Sequence, residues 1–161
     1  MKATKNNAEP LYIFDLDGTL ALIDHRRPIL DNKKDSQRWE KFFEACDKDL
    51  PNKPIVHLFQ RLCVNSQVMI FSGRSESVRS KTIAWLVEYV NLHISTAPVV
   101  LQMRPVGDST PDDQLKEKWY KQFLDQEDKD RLVCVFDDRQ KVVDMWRKNG
   151  VTCLQVAPGD F

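Results

Sequence analysis

Five short apolar runs organise this chain, and longer amphipathic stretches separate them. Each run has the length of a buried strand, whereas the stretches between the runs repeat apolar residues at three- and four-residue spacing, as a helix does. Strands that alternate with helices indicate parallel β-α-β units with right-handed crossovers. The expected fold class is therefore α/β, a three-layer doubly wound arrangement around a mostly parallel five-stranded sheet. The predicted strands are Leu11–Phe14, Gln67–Phe71, Pro98–Met103, Leu132–Phe136 and Thr152–Val156.

The amphipathic stretches predict five helices. Between Glu76 and Val90, apolar residues recur at the spacing of one helix face. Pro54 suits the first turn of a helix, and Gly150 is well placed to end one. The predicted helices are Trp39–Cys46, Pro54–Leu62, Glu76–Val90, Asp112–Leu124 and Gln140–Asn149.

The chain of 161 residues suits one domain with a single core, which we place over residues 10–161 after a flexible tail over residues 1–9. Residues 24–53 are the one long excursion between the first two strands. We expect a small insertion there, near the active site and too small for a full cap. An open site of this kind favours a large substrate, such as a polymer end, over a small metabolite that a lid must enclose.

Composition excludes some classes of function. Lysine plus arginine and aspartate plus glutamate balance at 24 each, so no overall basic field is present, although a local basic patch would still bind one strand end. No apolar run approaches the roughly 20 residues that span a bilayer, which predicts no membrane association. The cysteines form no C-x-x-C pair, so we expect a reducing, cytoplasmic compartment. They are Cys46, Cys63, Cys134 and Cys153.

Asp15 and Asp17 directly follow the first predicted strand, at the position where ligands bind in α/β sheets. The Gly18-Thr19 turn lets both carboxylates crowd one site, and two anionic groups so close require a cation or a shared proton. Mg²⁺ is the natural candidate because it prefers hard oxygen ligands. Taken alone, the Asp-x-Asp-Gly string is equally typical of a simple turn.

Polar residues also end the second and fourth predicted strands. Ser72-Gly73-Arg74 offers a hydroxyl and a guanidinium to phosphate oxygens, although on its own it is more typical of a turn. Asp137 and Asp138 repel each other unless a cation or solvent compensates their charges. Set beside the first two aspartates, they complete an oxygen-rich site for Mg²⁺.

Lys116 lies four residues after Asp112, so the two side chains share one face of the helix predicted there. A surface ion pair is the simplest interpretation of such a spacing. In the order of the chain, however, this lysine stands between the second and fourth strand ends. It therefore extends the same series of polar groups.

These segments resemble, in order, the motifs of the haloacid dehalogenase (HAD) superfamily, most of whose members are Mg²⁺-dependent phosphatases. The resemblance narrows to the 3′-phosphatase domain of phage polynucleotide kinase-phosphatases and extends from about Pro10 to the end of the chain. Two of the matching strings, Val143-x-Met145-Trp146-Arg147 and Gln155–Phe161, carry no obvious chemistry, so their match indicates common ancestry with this family. The strings are Phe14–Ala21, Ser72-Gly73-Arg74, Gly107-Asp108, Asp112-Asp113-x-x-Lys116, Asp137-Asp138-Arg139, Val143-x-Met145-Trp146-Arg147 and Gln155–Phe161.

The resemblance implies a Mg²⁺-dependent phosphatase that removes 3′-terminal phosphate from DNA or RNA so that ends are healed and sealed. Asp15 would be the nucleophile that forms an aspartyl-phosphate, and Asp17 the general acid and base. We expect acidic neighbours to raise the pKa of Asp17 for the first of these tasks. Lys116 and Ser72 would hold the transferring phosphoryl group.

The resemblance also implies the metal ligands. Asp15 and Asp138 would bind Mg²⁺ through carboxylate oxygens, and Asp17 through its backbone carbonyl. Asp137 would lie in an outer shell.

The remaining implied residues bind or orient. Arg26 and Arg74 would hold the substrate, with Arg27 as the alternative to Arg26. Asp112 would orient Lys116.

The resemblance has limits and leaves alternatives. The chain contains no P-loop string, so we expect either a free-standing phosphatase or a domain excised from a kinase fusion, and not a P-loop kinase. The resemblance also implies a functional link to a 5′-kinase and a ligase. Pro105-Val106 and Thr110-Pro111 depart from the family pattern, which bears on substrate preference.

The nearest alternative is a HAD phosphatase that acts on small nucleotides or another phosphomonoester. A catalytically silent end-binding module is disfavoured because every expected catalytic residue is present.

Overall fold

Seven strands occur in the part of the chain that the computed structural model describes, residues 9–90 and 99–159. Five of them pair in parallel to form the central sheet, and their order across the sheet confirms the predicted doubly wound α/β fold. The strands are β1 (Leu11–Phe14), β2 (Ala21–Leu22), β3 (Leu50–Pro51), β4 (Gln67–Ser75), β5 (Val100–Arg104), β6 (Leu132–Arg139) and β7 (Cys153–Gly159). The sheet order is β5-β4-β1-β6-β7.

Four strands of the sheet, β4 to β7, continue beyond the apolar runs that predicted them, and the extensions of β4 and β6 contain predicted site residues. β4 extends from Phe71 to Ser75, and β6 extends from Phe136 to Arg139. The polar strings that end these runs therefore belong to the strands. Most of the predicted N-terminal tail, residues 1–8, and the predicted strand start at Pro98 lie outside the described residues.

Six α-helices accompany the strands in the described chain. The predicted helix over residues 76–90 is divided into a 3₁₀ turn (Glu76–Val78), a short α-helix and a π-helical turn (Leu86–Val90). Another helix, Gln126–Arg131, has no predicted counterpart because all its residues are polar; Asp125 caps it by accepting a hydrogen bond from the Asp128 N–H at 2.8 Å. The helices are α1 (Arg38–Glu44), α2 (Lys53–Leu62), α3 (Arg79–Trp85), α4 (Asp112–Phe123), α5 (Gln126–Arg131) and α6 (Gln140–Lys148).

Apolar clusters cover both faces of the sheet. On one face, Ile13 of β1 and Phe71 of β4 pack with Trp146 of α6 and with residues of α4. On the other face, Phe14 of β1 packs with Phe59 of α2 and with residues of α3. Successive residues of a strand point to opposite faces, so a strand covered on both sides must be apolar throughout. This double burial explains the continuous apolar runs in the sequence.

The segment between β2 and β3 lies, in chain order, between the first two strands of the central sheet. β2 and β3 pair antiparallel through two residues each and close the segment at its base. Between them lie a 3₁₀ turn (Arg27–Asp31), α1 and a second 3₁₀ turn (Ala45–Lys48). Two-residue strands are too short to leave an alternating pattern, which is why the sequence does not predict them.

All four cysteines are buried and free. Within the described ranges, no helix combines the length and the apolar character that crossing a membrane requires.

Replacement of Phe71 by alanine tests the core. Its side chain is 1% exposed and packs edge-on against Trp119 at 5.5 Å between ring centroids. We expect Phe71→Ala to lower the free energy of unfolding by about 3–5 kcal/mol, because it removes buried apolar surface and leaves a cavity. Urea unfolding followed by circular dichroism measures the change. Phe123→Ala, at a position 52% exposed, is the control and should change stability by no more than about 0.5 kcal/mol; equal losses would contradict the assignment of the core.

Candidate active site

The carboxyl ends of β1, β4 and β6 meet at one edge of the sheet and border a cavity of about 740 Å³. β1 and β6 are neighbours at this edge, where the backbone N–H of Asp15 donates to the carbonyl of Phe136 at 2.8 Å. Three of the predicted site residues, Arg26, Ser72 and Arg74, are wholly buried away from the cavity lining. The predicted residues that line the cavity are Asp15, Asp17, Asp112, Lys116, Asp137 and Asp138.

Asp15, Asp137 and Asp138 form a carboxylate cluster, in which one oxygen of each residue lies within 4.8 Å of the others. All three residues are buried. The Nζ atom of Lys116 donates to Oδ1 of Asp15 at 2.5 Å and to Oδ2 of Asp137 at 2.8 Å. When these groups are ionised, the cluster and its lysine carry three negative charges and one positive charge. The excess of two negative charges is the main electrostatic feature of the site.

The pKa values of the cluster reflect this excess. Burial raises the pKa of Asp15 well above its usual range; Lys116 opposes the rise, and Asp137 and Asp138 add to it. Burial and the charge of Asp137 raise the pKa of Asp138 to about 6. Burial disfavours the charged form of Lys116, but Asp137 and Asp15 outweigh burial and raise its pKa. Lys116 therefore stays cationic, but its single positive charge does not neutralise the three carboxylates.

A divalent cation fits this set of donors. Buried carboxylate oxygens in close proximity are the hard ligands that Mg²⁺ prefers, and its two positive charges equal the excess. Asp137, expected in an outer shell, lies within the cluster itself. The Asp17 carboxylate lies outside the cluster, so a metal contact from that residue would come through its backbone carbonyl.

Two glycines make room for Asp138. Gly18 has a φ of +87°, which a side chain would strain, and a Cβ atom there would collide with the Asp138 carboxylate. On β7, a Cβ atom at Gly159 would lie 2.5 Å from the backbone carbonyl oxygen of Asp138. The side-chain amide of Gln155 donates to that same carbonyl at 2.9 Å. The last matching string of the sequence, which predicts no chemistry, thus holds the backbone of Asp138 from the neighbouring strand.

Asp17 belongs to a second set of charges, which we call the arginine network: Asp17, Arg26, Asp49 and Arg74. Arg26 Nη2 and Arg74 Nε donate to Oδ1 of Asp17 at 2.7 and 2.6 Å. Asp49 accepts hydrogen bonds from Arg26 Nε and Nη2, both at 2.7 Å, and from Arg74 Nη2 at 2.6 Å. Two carboxylates balance two guanidiniums here, in contrast to the carboxylate cluster.

The expectation that acidic neighbours raise the pKa of Asp17 is wrong. Burial acts in that direction, but the charges and hydrogen bonds of Arg74 and Arg26 outweigh it and lower the pKa of Asp17. The Asp17 side chain is 17% exposed and reaches the cavity lining. The protein therefore presents an ionised, firmly oriented carboxylate beside the cluster.

The structure distinguishes Arg26 from Arg27. The Arg26 side chain is wholly buried in the arginine network, whereas Arg27 is 42% exposed and lies 3.9 Å from Asp24. The sequence predicts substrate contacts for Arg26 and Arg74. Their guanidiniums donate to protein acceptors, away from the cavity lining, and both hold the Asp17 carboxylate. Contact of either arginine with a substrate remains a prediction.

Asp49 is the site residue that sequence reasoning missed. It follows no motif and lies in a polar string at the end of the excursion. Its carboxylate is buried and also accepts from His25 Nε2 at 2.9 Å, while its backbone carbonyl accepts from Trp85 Nε1 at 2.8 Å. The sequence offers only an indirect signal for Asp49. If both arginines are buried, they require more than one carboxylate to neutralise them.

Asp112 pairs with two arginines. Its carboxylate accepts from Arg104 Nη2 at 2.5 Å and from Arg139 Nη1 at 3.0 Å. Its charge also raises the pKa of Lys116, and Asp137 accepts a hydrogen bond from that lysine. A role for Asp112 in orienting Lys116 remains a prediction. Gly73 permits the arrangement, because a Cβ atom there would lie 2.5 Å from Oδ1 of Asp112.

Ser72 lies at the end of β4 with its side chain wholly buried. Its hydroxyl accepts a hydrogen bond from the backbone N–H of Arg74 at 3.2 Å. This bond fixes the strand end from which Arg74 reaches Asp17. A contact between Ser72 and a phosphoryl group remains a prediction.

Comparison with known proteins places this chain in a family. The family model of the polynucleotide kinase PNKP phosphatase domain matches residues 9–161. The chain belongs to this family. Membership identifies it as a HAD-superfamily polynucleotide phosphatase domain, a hydrolase whose superfamily generally uses Mg²⁺.

Solved structures agree with this family and fold. A chain in the Pnkp1/Rnl/Hen1 RNA repair complex is 30% identical with a TM-score of 0.76, and the match covers 99% of this chain and 46% of that chain. A second structure of a Pnkp1/Rnl/Hen1 complex matches at 28% identity and a TM-score of 0.72, covering 99% and 50%. A haloacid dehalogenase-like hydrolase of Streptococcus pneumoniae, 12% identical with a TM-score of 0.58, shares the fold over 91% of this chain and 84% of its own.

A curated viral relative is much longer than this chain. A protein of Autographa californica nuclear polyhedrosis virus, described as a bifunctional polynucleotide kinase/RNA ligase, is 31% identical over 134 residues. The match covers 83% of this chain but 17% of the viral protein.

Cation binding at the carboxylate cluster is testable through stability. Mg²⁺ should raise the unfolding temperature of the wild-type protein, because it binds the folded state and relieves repulsion among the aspartates. Asp138→Asn should weaken this rise. Thermal unfolding by calorimetry, with EDTA as the reference, measures it, and exposed Asp144→Asn is the control. An equal rise in Asp138→Asn would place the cation elsewhere.

In the absence of metal, the difference in unfolding temperature between Asp138→Asn and wild type should depend on pH. Burial and Asp137 raise the pKa of Asp138 from its ordinary 3.8 to about 6, so the ionised form destabilises the folded state. This destabilisation is absent at a pH below the ordinary pKa and complete at a pH above the raised pKa. In EDTA, Asp138→Asn should therefore unfold at a higher temperature than wild type at about pH 8, and the difference should shrink toward about pH 4.

Asp49→Asn tests the arginine network. Removing one carboxylate leaves two buried guanidiniums with a single counter-charge, so we expect the free energy of unfolding to fall by about 3–5 kcal/mol. Chemical denaturation measures this loss. Asp35→Asn, which removes an exposed pair with Lys41, should leave stability unchanged within error. Equal effects of the two variants would mean that the network does not stabilise the fold.

Proposed function

We propose that the protein is a Mg²⁺-dependent polynucleotide 3′-phosphatase that removes the terminal phosphate from DNA or RNA in end healing. The observation that carries this proposal is the adjacency of two unlike sets of charges at one cavity. Asp15 lies in the carboxylate cluster with its excess of negative charge, and Asp17, two residues later, lies in the balanced arginine network. The first suits a nucleophile beside a cation, and the second suits a fixed group for proton transfer.

The first step forms an aspartyl-phosphate. A carboxylate oxygen of Asp15 attacks the phosphorus, the phosphorus bond to the substrate 3′ oxygen breaks, and the phosphoryl group is transferred to Asp15. Lys116, 2.5 Å from Asp15 and cationic, stabilises the negative charge of the transferring group. When bound by Asp15, Asp137, Asp138 and the Asp17 carbonyl, Mg²⁺ supplies further positive charge there.

Asp17 moves the protons. Both arginines donate to its Oδ1, so we assign proton transfer to Oδ2. In the free protein Asp17 is ionised. A bound phosphate dianion disfavours the ionised form and raises the proton affinity of Asp17, so its carboxylate takes up one proton from solvent when the substrate binds. Asp17 then protonates the departing 3′ oxygen and takes a proton from the water that hydrolyses the aspartyl-phosphate, releasing inorganic phosphate.

The relatives support a place in RNA repair. The solved complex with the higher identity is an RNA repair complex, and the viral relative is described as a polynucleotide kinase/RNA ligase. We therefore propose that a 5′-kinase and a ligase act on the same ends as this phosphatase. Four free, buried thiols accord with a reducing compartment, for which we propose the cytoplasm.

Phosphate release from a short oligonucleotide with a 3′-phosphate tests the function. We expect fast, Mg²⁺-dependent release from this substrate, little from the 5′-phosphorylated oligonucleotide or the 3′-mononucleotide, and none after addition of EDTA. Asp15→Asn should abolish turnover with the fold intact, because it removes the nucleophile, whereas exposed Asp24→Asn should retain full activity. Faster release from the mononucleotide would move the function to small nucleotides, and substantial activity of Asp15→Asn would remove Asp15 as nucleophile.

A further inference from the structure

The cavity that contains the catalytic carboxylates also has an apolar wall, which the proposed chemistry does not use. The wall comes from the segment between β2 and β3, and none of its side chains ends a strand of the central sheet. A phosphoryl group needs only a small part of a cavity of about 740 Å³, which lies within the usual range of sites for whole small molecules. The residues of the wall are Ile23, Leu30, Trp39, Phe42 and Phe43.

Trp39 is the exposed aromatic ring of this wall. It lies in the first turn of α1 with 45% of its surface exposed, whereas Phe42, one turn later, is 4% exposed. The Trp39 ring packs edge-on against Phe42 at 5.9 Å and lies tilted against Phe43 at 6.0 Å. Neighbouring rings thus hold the indole while much of its surface stays open to the cavity.

The aromatic wall is tied directly to the catalytic machinery. The Arg26 guanidinium lies over the Phe42 ring, 4.1 Å from its centroid, and donates to the Phe42 carbonyl at 3.3 Å. The same guanidinium donates to Asp17. A chain of contacts therefore runs from Trp39 through Phe42 and Arg26 to Asp17, so the indole has a fixed position relative to the reacting group.

We propose that Trp39 is a stacking platform for a base at the 3′ end of the substrate strand. Nucleobases are flat, and stacking on an aromatic side chain tolerates every base, as a healing enzyme requires. Lys141 and the exposed Val106, 70% of whose surface is accessible, also line the cavity, so cationic and apolar surface is present for the rest of a nucleotide. The inference rests on the proposed function and assigns its substrate specificity to the insertion.

Kinetics on matched substrates test the platform. The substrates are a 3′-phosphorylated oligonucleotide, the same oligonucleotide with an abasic terminal nucleotide, and p-nitrophenyl phosphate. Trp39→Ala should lower kcat/KM on the first about tenfold, mainly through KM, because one stacked base is lost. The abasic strand and p-nitrophenyl phosphate have no terminal base, so Trp39→Ala should have the same kcat/KM as wild type on each of them. Trp39→Phe should recover part of the loss, and Phe123→Ala, an exposed aromatic residue outside the cavity lining, should have no effect.

Fluorescence gives a readout that does not depend on turnover. Of the four tryptophans, Trp39 is exposed, and Trp85, Trp119 and Trp146 are buried. A 3′-hydroxyl oligonucleotide, the reaction product, should therefore quench the fluorescence of wild type and leave that of Trp39→Phe unchanged.

The outcomes separate this inference from the proposed function. Loss of equal size on base-bearing and abasic strands, or on all three substrates, would overturn the platform while leaving the phosphatase intact. Quenching that survives in Trp39→Phe would overturn it as well. Hydrolysis of p-nitrophenyl phosphate by wild type without activity on either strand would overturn the proposed function itself.

Discussion

The excess of buried negative charge at the carboxyl end of the sheet is the constraint on which the rest of the site depends. Asp15, Asp137 and Asp138 share one lysine, and each has a raised pKa because its charged form is poorly compensated. Burial of unpaired charge is among the costliest arrangements in a protein interior. A divalent cation bound by the three carboxylates would remove this cost.

The arginine network shows the opposite solution to burial of carboxylates. Asp17 and Asp49 are matched by two guanidiniums through short hydrogen bonds, and no further cation is needed. Asp15 and Asp17 thus acquire different chemistry although they are two residues apart. Separate surroundings push the pKa of one carboxyl up and of the other down. In the proposed mechanism, this difference divides the roles of nucleophile and proton carrier between the two residues.

In the proposed mechanism, the insertion contributes to both proton transfer and substrate recognition. Its second 3₁₀ turn is followed directly by Asp49, which completes the arginine network, and α1 carries the aromatic residues of the cavity wall. The segment is small, but it connects proton transfer to the surface that a substrate meets. Variation of this segment is therefore a direct physical route to changing substrate preference without changing the carboxylate cluster.

The pattern of apolar and polar residues was sufficient to predict the central strands, their parallel pairing and the edge of the sheet at which polar residues gather. Central strands are continuously apolar because both of their faces are buried, and this makes them recognisable in the sequence. Parallel strands bring their carboxyl ends to one edge of the sheet, so Asp15, Asp137 and Asp138 are expected to lie close together. The charge partners of the site residues could not be predicted without the fold. Asp17 pairs with two arginines, Asp112 pairs with two other arginines, and Asp49 joins the site although no sequence motif marks it. These pairings join residues far apart in the chain, and the pKa of a buried group depends on which charges the fold brings within a few ångströms.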